Sequence, residues 1–233
     1  MKNVVSAGLL GFGWVIAALW FLAPGLTPVV SAQGGTGSLR VAPTGTDFNG
    51  CGSIASPCQT VQFAVDQATP GDEILIAAGT YSGVQVRNGL TQTVYISKPL
   101  TLRGGYTPAD GFTISDPVAN PTILDAQLAG RVILISDTVA ATVENLTVTR
   151  GSVNGLNLCT NLTGNCGGGI LATGPLSLTN VVVTSNFAER FGGGVAGLTT
   201  TVVSGGRFEN NATGSGFGNG GGLYTEGTTD LRN

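Results

Sequence analysis

Histidine is absent from the 233-residue sequence, and charged residues make up only 10% of it. Without histidine, the most common general base and the Ser-His and Cys-His nucleophile systems are excluded. The charged fraction is well below the ~25% of typical globular domains, and no basic cluster occurs, which argues against a nucleic-acid partner. Disordered chains are usually charged and poor in β-branched residues, so the abundance of Thr, Val, Ile and Leu argues against disorder.

Tryptophan is missing from all but the first 32 residues, which hold both Trp14 and Trp20. In this segment Lys2 precedes a long apolar run, and the small residues at 30–32 offer a cleavage site, so we predict a secretory signal peptide over residues 1–32. An uncleaved membrane anchor is the alternative, because the run approaches the ~20 residues that span a bilayer. After cleavage, nine of the ten basic residues remain against thirteen acidic ones, and no membrane span is expected.

Cysteine is scarce, and its four copies form two local pairs, each with six residues between. In an exported chain an even count indicates disulfides, and of three connectivities the simplest joins each local pair. A zinc site is the alternative, but this spacing is not a standard zinc motif and no histidine is present to help. We therefore expect no metal and no cofactor, and two disulfides, Cys51–Cys58 and Cys159–Cys166.

Glycine is abundant, with 38 copies, and it forms three triplets that start 25 and then 28 residues apart. Asn186 and Asn211 each lie 19 residues after the start of the preceding triplet. Self-similarity at such a period is typical of stacked repeats. We expect the triplets to lie at corners where φ is positive or where successive coils approach closely, and the two asparagines to form a hydrogen-bonded ladder. The triplets are centred on Gly168, Gly193 and Gly221.

Short strands dominate the rest of the chain. Apolar residues at helical spacing predict one amphipathic helix over residues 59–69, and Pro70-Gly71 ends it. We divide the chain into a flexible leader at 33–39, an N-terminal cap at 40–72 and stacked β-coils at 73–233. The helix would cover the open edge of the stack. An antiparallel β-sandwich is the alternative. Asn233 lies 13 residues past Gly220, as Asn180 lies 13 past Gly167, so we expect the sequence to stop within a coil.

The run Pro70 to Tyr81 resembles the opening coil of right-handed parallel β-helix proteins of the pectin-lyase-like class. The triplets, with Asn186 and with the segment 208–211, are similar to the GGA[ILV] and FxxN repeats of polymorphic outer-membrane proteins. The resemblance implies an all-β fold, a right-handed parallel β-helix with a short N-terminal capping helix. It leaves function open, because the class contains lyases, hydrolases and adhesins.

Candidate site residues are few. No two carboxylates in the body lie next to each other or two apart on one strand, so no acid–base pair is set up locally. Charges on neighbouring coils could still meet, either Glu144 with Arg150 or Glu189 and Arg190 beside Arg207 and Glu209. They could instead be ordinary surface ion pairs that contribute little. The calcium-binding Gly-Gly-x-Gly-x-Asp repeat is not present, because the triplets lack the Asp. The candidate ligand-binding residues are Glu144, Arg150, Glu189, Arg190, Arg207 and Glu209.

The sequence therefore predicts an exported cell-surface or extracellular β-helix protein, with the outer membrane as one location. Its role would be structural, adhesive or glycan-binding, its partner a polysaccharide or a cell-surface ligand, and no catalytic site is evident. The alternative is a polysaccharide lyase or glycoside hydrolase of the pectin-lyase-like class, with its site on an outer coil face or in further coils.

Overall fold

A computed structural model describes residues 37–87, 89–136, 138–153, 166–214 and 218–232. The predicted signal peptide and Cys159 lie outside these residues. Among them, regular structure is mostly β-strand, with one α-helix and one 3-10 turn at Pro108–Asp110. The elements in chain order are β1 Ser38–Val41, α1 Val61–Gln67, β2 Glu73–Ala77, β3 Gly79–Ser82, β4 Gln85–Arg87, β5 Leu90–Ile96, β6 Leu100–Tyr106, β7 Thr122–Asp125, β8 Arg131–Ile135, β9 Ala141–Glu144, β10 Thr147–Thr149, β11 Ser152–Val153, β12 Ile170–Ala172, β13 Leu176–Thr179, β14 Val182–Thr184, β15 Phe187–Ala188, β16 Val195–Gly197, β17 Thr201–Ser204, β18 Arg207–Glu209, β19 Ala212–Thr213, β20 Leu223–Thr225 and β21 Thr229–Arg232.

The strands form four sheets, which the chain visits in turn. Sheet A has the order β1-β2-β6-β9-β13-β17-β21, sheet B β3-β7-β10-β14-β18, sheet C β4-β5-β8-β12-β16-β20 and sheet D β11-β15-β19. Where the structure describes strand pairs, all are parallel except β4 with β5. The predicted all-β class is confirmed as an all-β parallel fold. The antiparallel sandwich is wrong, because its strands would pair antiparallel.

Sheets A, B and C send columns of aliphatic side chains into a shared core. In sheet A the column runs through Ile74, Leu102, Val143, Leu178 and Val203, which lie opposite one another in register. All five are buried. Since burying one such side chain stabilises a fold by about 1.5–3 kcal/mol, the repeated column is a main source of stability.

The corners between sheets use left-handed backbone. The first glycine of each triplet has positive φ, at 62°, 56° and 65° for Gly167, Gly192 and Gly220. The second glycine allows the backbone of a neighbouring pass to approach closely, because a Cβ at Gly168 would overlap the backbone oxygen of Phe187. The triplets thus supply both the positive φ and the close approach that the sequence predicted.

Helix α1 falls within the segment for which the periodicity predicts a helix. Thr60 is the N-cap, and its side chain accepts a hydrogen bond from the Phe63 N–H. Val61, Ala64 and Val65 are buried in the same core as the sheet columns. The helix therefore packs its apolar stripe on the core beside the first strands.

Two details differ from the sequence predictions. Strand β1 begins at Ser38, inside the predicted flexible leader, because Ser38 and Leu39 pair with Glu73 and Ile74 of β2. Strand β4 is part of an antiparallel hairpin with β5 rather than one of a series of parallel strands. The physical reason is the dipeptide at 88–89, Asn-Gly, the preferred sequence of a tight hairpin turn.

The structure has the predicted first disulfide. Cys51 is bonded to Cys58, with their Cα atoms 5.0 Å apart. Cys166 is also disulfide-bonded, but its predicted partner lies outside the described residues. No helix in the described part of the chain is both long and apolar enough to cross a bilayer.

Candidate functional site

The predicted charge pair of Glu144 and Arg150 does not form as such. Glu144 Oε2 accepts a hydrogen bond from Arg103 Nε at 2.6 Å, and Arg103 also lies 3.3 Å from Glu73. Arg150 instead forms a bidentate pair with Asp125. That pairing raises the pKa of Arg150 through the hydrogen bond and the charge of Asp125. The two residues therefore belong to separate ion pairs on different strands.

The other four predicted residues lie late in the chain. Arg207 and Glu209 pair along their own strand β18, with Nε and Oε2 3.1 Å apart and side chains 64% and 40% exposed. Glu189 and Arg190 follow β15, and the Arg190 guanidinium lies 5.8 Å from the centre of the Phe191 ring. Exposed pairs of this kind contribute little to stability or binding on their own. A ligand-binding role for these residues stays a prediction.

The two asparagines of the repeat do meet. Asn186 Nδ2 donates to Asn211 Oδ1 at 3.0 Å, which is the predicted ladder contact. Asn186 Oδ1 accepts from the Gly151 N–H at 2.8 Å, and Nδ2 also reaches the Val148 carbonyl at 3.1 Å. Asn211 Nδ2 donates to the Val183 carbonyl at 2.8 Å. The ladder ties the corners of three successive passes together.

Asp47 is the only described carboxylate that groups closely with cysteine, beside Cys51 and Cys58. The two sulfurs are bonded to each other and cannot act as thiolate ligands. The Asp47 carboxylate accepts hydrogen bonds from the backbone N–H groups of Gln59 and Thr60 at 2.7 and 3.0 Å. This group therefore anchors the start of α1 rather than a metal.

The feature most like a binding site is a cleft of about 490 Å³ at the N-terminal end of the sheets. It lies between α1, strand β3 and the β4–β5 hairpin. Its volume falls within the ~300–1,000 Å³ typical of small-ligand sites. The cleft is lined by Pro43, Gln59, Thr60, Val61, Gln62, Phe63, Asp66, Thr80, Tyr81, Ser82, Gly83, Val84, Gln85, Arg87 and Thr93.

One ion pair bridges the helix and the hairpin across this cleft. Arg87 donates from Nη1 and Nη2 to the two oxygens of Asp66, at 2.9 and 2.5 Å. Gln85 Oε1 accepts from Arg87 Nε at 3.1 Å, and Gln62 Nε2 donates to Asp66 Oδ1 at 2.9 Å. Gln62 is held in turn, because its Oε1 accepts from the Tyr95 N–H at 2.6 Å. The amides fix the geometry of the pair.

A buried hydroxyl in the cleft wall has no protein partner. Thr93 is 9% exposed, and its Oγ1 makes no hydrogen bond. A buried polar group left without a partner costs about 1–3 kcal/mol. Thr93 contributes to the lining of the cleft, but its Oγ1 has almost no accessible surface and lies behind the wall.

The lining of the cleft contains one phenol and one carboxylate. Tyr81 is buried, and its hydroxyl donates to the Ala77 carbonyl at 3.0 Å. Burial raises the pKa of Tyr81 above its ordinary value of 10.0, so it is not a base near neutral pH. Asp66 is the only carboxylate among the lining residues, whereas glycoside hydrolysis uses two. The cleft is therefore equipped to bind polar molecules.

Sequence reasoning missed this cleft. Two signals could have indicated it. The Asn-Gly dipeptide at 88–89 predicts a hairpin, and the spacing of Gln62 and Asp66 places both on one side of the predicted helix. Neither signal shows that the hairpin returns to the helix, since Arg87 and Asp66 are 21 residues apart.

The chain is similar to a pectate lyase of Emericella nidulans. The two are 36% identical over 121 residues, which cover 49% of this chain and 25% of the enzyme. The chain thus spans about a quarter of the length of the curated relative that it matches. No protein-family model matches the chain, and no solved structure matches it significantly.

Proposed function

We propose that the chain forms a right-handed parallel β-helix of the pectin-lyase-like class, exported from the cell, that binds a polysaccharide in the cleft between α1 and the β4–β5 hairpin. Three features support the fold and the export of the chain. The chain visits its parallel sheets in a fixed order, it is similar over about half its length to a pectate lyase, and it carries the Cys51–Cys58 disulfide. Disulfides persist in oxidising compartments outside the cytosol.

The observation that carries the binding role is a concave wall rich in amides and hydroxyls. Sugars present many hydroxyl groups, each both donor and acceptor, along with apolar ring faces. Gln59 and Ser82, both exposed, offer polar groups to such hydroxyls, and the half-buried Phe63 offers an apolar face to the sugar ring. We also propose that the protein is displayed on a cell surface.

The experiment is a binding titration of the whole protein with a panel of plant and microbial oligosaccharides. Ser82→Ala removes the hydroxyl of an exposed lining residue. We expect it to weaken binding about 3- to 10-fold, the value of one hydrogen bond. Ser177→Ala, on the outer face of sheet A, is the matched control and should bind as the unchanged protein does. Equal affinities for all three proteins would place the site elsewhere.

A second function is favoured by the pectate lyase similarity: β-elimination of an acidic polysaccharide, with the reacting groups on another face of the coils. The rise in ultraviolet absorbance of the unsaturated product, with and without added calcium, tests it. Turnover that survives Ser82→Ala would indicate a lyase whose site is separate from the cleft.

A further inference from the structure

The cleft carries no net charge. Among its lining residues, Asp66 and Arg87 are the only charged ones, and they are of opposite sign. They lie in bidentate contact and are equally exposed, at 34% each. The nearby cation Lys98 is turned to the end of α1, where its Nζ donates to the carbonyls of Asp66 and Ala68 at 3.2 and 2.7 Å. Lys98 is not among the lining residues of the cleft.

Arg87 has little left for an anionic ligand. Its Nε, Nη1 and Nη2 atoms each already donate one hydrogen bond, to Gln85 and to Asp66. A carboxylate that approached the remaining N–H groups would also come close to the Asp66 carboxylate, and the two like charges would repel. Displacing Asp66 would break its bidentate contact with Arg87, so the new carboxylate contact would only replace the one that was lost.

An uncharged sugar meets no such obstacle. A hydroxyl can donate to a free lone pair of Asp66 and accept from an outward N–H of Arg87, so the pair serves both roles without separating. The polar lining residues other than the pair are neutral amides and hydroxyls.

We infer that Asp66, by neutralising Arg87, makes this cleft select uncharged sugar chains over carboxylated ones. The inference rests on the proposed function, since it names the ligand class of the same site. Asp66 then acts as a specificity residue: with it the cleft rejects uronates, and without its charge Arg87 is free to bind them.

The experiment compares two ligands of similar shape, a galactose tetramer and a galacturonate tetramer, by calorimetric titration of the whole protein at low salt. We expect the unchanged protein to bind the galactose tetramer at least 10-fold more tightly. Asp66→Asn keeps the side-chain size and the hydrogen-bonding oxygen, and it should raise the affinity for the galacturonate tetramer about 10-fold. Raised salt should remove most of that gain, because screening weakens an exposed charge contact.

Asp230→Asn is the matched control, because Asp230 also pairs with an arginine, Arg232, but lies in β21 at the opposite edge of sheet A. It should leave both affinities unchanged. A protein that binds neither tetramer, nor any saccharide of the panel, overturns both the proposed function and this inference. A protein that binds saccharides but prefers the galacturonate tetramer, or an Asp66→Asn variant with no gain for it, overturns the inference alone.

Discussion

Replacing Asn186 with alanine should destabilise the fold by about 3 kcal/mol, because the change leaves buried backbone groups without partners. Asn186 is 1% exposed. Its side chain accepts from the Gly151 N–H and donates to the Val148 carbonyl and to Asn211 Oδ1. The unpaired Gly151 N–H alone costs about 1–3 kcal/mol. The Val148 carbonyl and Asn211 Oδ1 each lose a donor as well, which adds to this cost. Total stabilities are about 5–15 kcal/mol, so the loss is a large share.

The assay is urea unfolding followed by circular dichroism. Asn219→Ala is the matched control, since Asn219 is exposed and a surface substitution stays within about 0.5 kcal/mol. Asn186→Asp gives a second measurement. Its carboxylate can still accept from the Gly151 N–H, but it can no longer donate to the Val148 carbonyl or to Asn211 unless it is protonated.

The deficit of Asn186→Asp should therefore shrink as the pH falls through the raised folded-state pKa of the new carboxyl group. The reasoning would be refuted if Asn186→Ala and Asn219→Ala lost the same stability. It would also be refuted if the deficit of Asn186→Asp did not depend on pH, because the hydrogen bonds that Asn186 Nδ2 donates would then not contribute to stability.

Two further predictions concern the corners and a buried phenol. Gly193→Ala should strongly destabilise the protein or prevent folding, because the new Cβ would overlap the Ala212 backbone oxygen. In the control Gly222→Ala, the new Cβ meets nothing closer than Phe208 Cβ at 3.5 Å, so this variant should fold normally. Equal melting temperatures of the two variants would contradict this. Burial raises the folded-state pKa of Tyr81 above 10.0, so its contribution to stability is complete below pH 10 and is lost as the pH rises towards the folded pKa. Between pH 9 and pH 11.5, Tyr81→Phe should therefore lose less stability than the unchanged protein, by up to about 1.4 kcal/mol per pH unit. The measurement is the urea midpoint of both proteins against pH, and parallel profiles would contradict the pKa shift.

The repeat is the part of the structure that pattern alone could predict. The triplets and the asparagines have a regular spacing, and the strands they bound pair in register from one pass to the next, as Leu176 does with Thr201. Strand pairing of neighbouring copies needs only equal lengths of chain between equivalent residues. For the same reason Asn186 and Asn211, one period of 25 residues apart, lie side by side.

The ion pairs were harder to predict. Glu144 pairs with Arg103, 41 residues earlier, across the long excursion between β6 and β7. That excursion breaks the period, so counting along the chain does not indicate which charges meet. Glu144 ends a strand of sheet A and lies in register with Arg103, whereas Arg150 follows a strand of sheet B and pairs with Asp125.

The amino-acid pattern accounts for the all-β class, the positions of the corners, the helix and the first disulfide, since each depends on residues that are near in sequence or equivalent in a repeat. The cleft depends on neither. Asp66 and Arg87 come from a helix and from an antiparallel hairpin, both outside the repeat, and packing against the first strands brings them together. Long-range contacts between unlike elements have no spacing to reveal them, and these are the contacts that shape the proposed binding site.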